Sequence, residues 1–192
     1  MLFAGDGTGS APVTIPYLVE LVFCARSPGA RLRMLSELTF NVFAMITDQV
    51  DCAHRARLFN APRPHDPQAV ATFEALRPYV PSLLATWPAQ PPVVRRGLIG
   101  LAVAFPQAGM ALYAELIAFA SEMSGTREGL LAEITCRFFE GDLKQAMALC
   151  MVVNSWDDYW MLHDDEWWQL ASLYPDLDEA DAVTLIQHIV AF

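Results

Sequence analysis

The stretch Asn154-Ser-Trp-Asp-Asp-Tyr-Trp-Met-Leu-His-Asp-Asp-Glu-Trp-Trp168 gathers four of the chain's five tryptophans, five acids and one histidine. Residues of these types serve several chemistries. Asp and His ligate Zn, Mn or Mg. Asp157, Asp158, His163, Asp164 and Asp165, converging on a pocket between helices, would serve an enzyme or a small-ligand protein. Tryptophans ringed by acids anchor a protein interface and speed the approach of a basic partner.

Spacing argues against the metal reading. Two ligands for one ion on a continuous helix sit three or four positions apart, and Asp157 and Asp158 find Trp160, Met161 and Leu162 there. Asp157 and Asp164 share a face but stand roughly 10 Å apart along the axis at the helical rise. No metal site and no cofactor is therefore expected. Ser-His-Asp, Cys-His and phosphate-loop patterns are absent too, and no catalytic residue is assigned. Beside the pocket of an enzyme or small-ligand protein, two further readings of the stretch stay open. In one, Ser155 and Asp158 form a capping box, Asp164 opens the next helix, and the tryptophans pack inward. In the other, Trp156, Asp157, Asp158, Trp160, Asp164, Asp165, Trp167 and Trp168 form a partner-binding surface.

Charge is distributed unevenly around this stretch. The last basic residue is Lys144, and nine acids follow it, from Asp157 to Asp181. The remaining 13 of 22 acids face all 12 bases, so the net charge of −10 belongs almost wholly to the C-terminal quarter. Such a field repels phosphate backbones and anionic membranes and attracts cationic surfaces. The expected partner is another protein with a basic surface, and not a nucleic acid or a membrane.

The elements that must position these residues read as helices. Ile15, Leu18, Val19 and Val22 form one stripe at helical spacing, and Leu35, Leu38, Val42 and Ile46 another. Strand-like alternation bounded by hairpin turns is not convincing anywhere. The chain also repeats. Gly29-Ala-Arg31-Leu-Arg-Met34-Leu35-Ser-Glu37-Leu38 aligns without gaps on Gly125-Thr-Arg127-Glu-Gly-Leu130-Leu131-Ala-Glu133-Ile134, and Pro28, Arg31 and Leu35 align more weakly on Pro92, Arg95 and Ile99. The offsets are multiples of about 32 residues, the size of one helix pair in a repeat array. Units are expected near 12–43, 44–75, 76–106, 107–138 and 139–173, with a closing helix over 178–191. The whole is a single all-α domain over 1–192, a short α-solenoid of stacked hairpins whose part from 139 to 192 is acidic and irregular.

Gly7-Thr8-Gly9, Ala11, the run Ile15-Pro16-Tyr17-Leu18-Val19-Glu20-Leu21, then Arg31 and Leu35 resemble the opening unit of bacterial HEAT-like repeat proteins, members of the armadillo-type solenoids. The likeness covers about two thirds of the chain and fades over the last fifty residues. It implies a scaffold that binds other proteins, with toxin neutralisation, in the manner of an immunity protein, as one concrete version. Second helices of such arrays line the inner face. His54, Arg31, Arg33, Arg95 and Arg96 would then either form a basic inner groove or pair with acids of neighbouring units.

Smaller features complete the expectation. Gly97 to Ala120 carries one charge, Glu115, but Pro106-Gln107 divides it into two buried helices too short for a bilayer. The four cysteines are far apart, and Met1 to Ser10 lacks a basic-then-apolar leader, which together fit reduced, mostly buried thiols in the cytoplasm. The apolar end Ile189-Val190-Ala191-Phe192 must pack on the last hairpin or on a second copy of the chain, as a homodimer.

Overall fold

The computed structural model describes residues 12–59, 64–155 and 179–191, and every regular element in these ranges is helical. In chain order they are α1 (Ile15–Cys24), α2 (Pro28–Phe59), α3 (Pro67–Leu76), α4 (Val80–Leu84), α5 (Pro92–Ala104), α6 (Pro106–Gly109), α7 (Tyr113–Glu122), α8 (Arg127–Phe139), α9 (Leu143–Ser155) and α10 (Glu179–Ala191). Short 3-10 turns at Pro12–Thr14, Arg77–Tyr79, Trp87–Ala89 and Met110–Leu112 join some of them.

The helix starts repeat one chemical device. Proline fills the first turn of α1, α2, α3 and α5, where its missing N–H costs nothing and its fixed φ favours the helix. Side chains then satisfy the open backbone donors. Ser27 Oγ accepts from the Ala30 N–H, Asp66 Oδ1 from Gln68, Thr126 Oγ1 from Gly129 and Asp142 Oδ1 from Gln145. At the far end of α8, Gly141 adopts φ 77°, and the Gly141 and Asp142 N–H groups donate back to Phe138 and Arg137 carbonyls, closing the helix.

Both apolar stripes read from the sequence are buried, Ile15, Leu18, Val19 and Val22 on α1 and Leu35, Leu38, Val42 and Ile46 on α2. Helix α5 lies at the centre, and from Leu98 to Ala104 every residue is buried. Phe105 leaves the helical region ahead of Pro106, dividing the long apolar run as expected. No helix among the described residues is long and apolar enough to cross a membrane.

The three aligned stretches fall on α2, α5 and α8, each the second member of a hairpin, and these helices touch in series, α2 on α5 and α5 on α8. The expected boundary at 43/44 is overturned. Helix α2 runs through it without interruption for 32 residues, because no proline or glycine occurs between Ala30 and Phe59. The closing helix begins at Glu179, close to expectation, but its place differs. Helix α10 crosses the row and contacts α2, α5, α8 and α9. Ile189 and Val190 are buried in that packing, so this part of the apolar end is covered by more than the last hairpin.

One close approach yields a test. A Cβ on Gly109 would stand 2.2 Å from the Ala102 carbonyl oxygen and 2.8 Å from the Phe139 ring. Alanine is normally the better helix residue by about 1 kcal/mol. Here Gly109→Ala should instead destabilise by about 2 kcal/mol, since backbone must shift to admit the methyl. Urea unfolding measures this, and a stabilised variant would show that α6 moves away from α5 freely.

Candidate functional site

Residues 156–178, which contain all eight residues of the expected partner surface, lie outside the described residues, as do the five candidate pocket residues Asp157, Asp158, His163, Asp164 and Asp165. The helices on either side are described. Ser155 is the last described residue of α9, and Asp158, the other member of the expected capping box, lies outside the described residues. Helices α9 and α10 contact each other, so both ends of the acidic segment are fixed to one body. At its C-terminal end, Glu179 and Asp181 sit in the first turn of α10, where negative charge meets the positive end of the helix dipole.

Two of the arginines that the repeat brings into register, Arg31 and Arg95, turn back onto backbone carbonyls instead of pairing with acids. Arg31 donates from Nη2 to the Ala25 carbonyl at 3.0 Å and from Nη1 to Gln90 Oε1 at 3.1 Å, with Nε 3.4 Å from the Val22 carbonyl. Arg95 donates to the Trp87 and Pro88 carbonyls at 3.3 and 3.5 Å, and its guanidinium lies over the Trp87 and Phe119 rings. Each reaches back six to nine residues to the end of the preceding helical segment. At these two positions the arginine is thus a clasp within a hairpin, satisfying carbonyls that a helix end leaves open.

The only cluster of three metal-type donors among the described residues lies elsewhere. Asp48 and Cys52, one turn apart on α2, are 6 and 8% exposed. His65, from the extended segment ahead of α3, is exposed and meets them from outside. One donor atom from each lies within 4.8 Å of the other two. His65 Nδ1 is 3.0 Å from Asp48 Oδ2, and the Asp66 N–H donates to the same oxygen at 3.0 Å. The carboxylate therefore latches the start of α3 to α2. Sequence reasoning passed this cluster over. Asp48 and Cys52 do carry the helical four-residue spacing of a ligand pair, but His65 lies 13 residues further on, beyond a proline-rich stretch.

Two of the other thiols are held protonated by burial. Cys136 and Cys150 are buried, and desolvation pushes the Cys136 thiol up to about 11 and that of Cys150 higher still. Cys24 is exposed, on the outer side of α1. That side also shows Val13, Tyr17 and Leu21 at intervals of one turn, with Tyr17 69% exposed, so part of the apolar surplus in the composition lies at the surface. No family model, curated protein or solved structure matches the chain.

Proposed function

We propose that this chain is a non-catalytic interaction protein, a short HEAT-like array that binds a basic protein through its acidic, tryptophan-rich C-terminal region. Neutralising or regulating that partner, as an immunity protein does, is the concrete form. One observation carries the reading: every acid after Lys144 stands without a basic residue in the same stretch, and four tryptophans lie among them. Acids distributed for solubility alone need no such segregation and no aromatic company. The packing of α9 on α10 supports it, because a contact segment held at both ends loses less entropy on binding than a free tail.

The test compares the wild-type chain with two variants, Trp156→Ala/Trp160→Ala and Asp157→Asn/Asp158→Asn/Asp164→Asn/Asp165→Asn. Captured from the native cell, the partner should be basic, and each variant should retain at least about tenfold less of it. Association of wild type should slow steeply with added salt, while the asparagine variant should lose most of that dependence. Equal capture by all three chains would remove this segment as the contact.

A further inference from the structure

Asp48, Cys52 and His65 supply a carboxylate, a thiol and an imidazole from two elements to one point at the edge of α2. We propose that they bind a divalent ion of the zinc class, with the fourth position facing solvent on the His65 side. This inference is independent of the partner-binding reading and uses none of its residues.

The donor set selects the metal. Thiolate and imidazole suit zinc and its neighbours, whereas magnesium and calcium require oxygen ligands throughout. Geometry agrees. Zinc lengths of about 2.0–2.3 Å to N, O and S place tetrahedral ligands roughly 3.4–3.6 Å apart. The donors now lie within 4.8 Å of one another, so closure needs about an ångström of movement. His65, exposed and outside any helix, is the member able to supply it. An ion held by Nδ1 takes the place of the proton between His65 and Asp48 Oδ2, opening that pair from 3.0 Å to about 3.4 Å. The thiol proton of Cys52 leaves to solvent, the imidazole proton displaced from Nδ1 is replaced by one on Nε2 so that the ring stays neutral, and the ion's charge balances the carboxylate and thiolate. Asp48 and Cys52 are preset by α2, and the Asp66 N–H orients the carboxylate from behind. With three protein ligands, the remaining position holds a water or an exogenous ligand.

Purified, chelator-stripped protein is titrated with Co2+ as a spectroscopic probe and with Zn2+ by calorimetry. The expected result is one equivalent showing a thiolate-to-cobalt charge-transfer band, displaced by Zn2+, with proton release on binding. Cys52→Ser should abolish the band, and His65→Gln should weaken Zn2+ binding on the order of 100-fold, beyond what loss of a supporting contact does. Cys24→Ser should bind as wild type. His65 is exposed, so its variant keeps the test valid even where Cys52→Ser or Asp48→Asn disturbs folding. Three results would each overturn the proposal. These are no binding at tens of micromolar Zn2+, binding without a thiolate band, and equal affinity in wild type and His65→Gln. The first, paired with loss of stability in His65→Gln, would leave Asp48 as a hydrogen-bonded latch only.

Discussion

A chain ended at residue 178 should lose its cooperative unfolding transition. The deletion removes α10, whose Leu185, Ile186, Ile189 and Val190 are each at most 5% exposed. At about 1.5–3 kcal/mol per large aliphatic side chain, their burial contributes roughly 6–12 kcal/mol. That matches the whole stability of an ordinary domain. The loss does not stop there, because α2, α5, α8 and α9 would each expose the face they present to α10. The Val103 carbonyl would also lose the Gln187 Nε2–H that now donates to it at 3.0 Å. Far-ultraviolet dichroism should keep most of its helical signal, while near-ultraviolet signal is lost and a hydrophobic dye binds. A truncated chain that still melted sharply, within a few degrees of wild type, would mean that the row of second helices stands unaided.

The second large effect is a loss of stability in mild acid. His188, on the same helix, is 7% exposed, and burial holds its imidazole down at about 4 against an ordinary value of 6.5. Between those values the unfolded chain carries the proton and the folded chain does not. Unfolding then takes up a proton, and stability falls as pH falls through this window. The full difference corresponds to about 3 kcal/mol, with about 2 kcal/mol gone by pH 5. Above pH 7 both states are neutral and the effect vanishes. His188→Leu, close in volume and without a titration, should show a flatter profile from pH 7 to 5 in urea unfolding, where few carboxylates yet titrate. Parallel profiles for the two chains would show that acid reaches the fold through another group.

How much of this was readable beforehand follows from the range of the interactions. Ile15, Leu18, Val19 and Val22 declared a buried helical face because their spacing is a property of one helix, and every one of them is in the core. The recurrence of Arg31 and Arg95 was equally visible. Their role was not, because a carbonyl acceptor leaves no mark on sequence, whereas an acid does. The length of α2 was obscured by imposing a regular period on a stretch whose own composition, free of proline and glycine from Ala30 to Phe59, favours continuity. For α10, amphipathic spacing announced that one face is covered but carried no information about the cover, which comes largely from helices far earlier in the chain. The cluster at Asp48 divides in the same way. The spacing of Asp48 and Cys52 was legible; the arrival of His65 depends on where the chain re-enters after 60–63.

The path of α10 across the row also sets a clock. A repeat array in which each hairpin rests only on its neighbour can be completed unit by unit as it leaves the ribosome. Here the chain between Phe59 and Glu179, 119 residues long, is made after α2 and before the helix that covers it. At synthesis rates of about 5–20 residues per second, the apolar face of α2 waits roughly 6–24 s for its cover. Collapse and helix formation are complete within microseconds to milliseconds. A nascent chain of this protein therefore spends more than half of its synthesis with that face open.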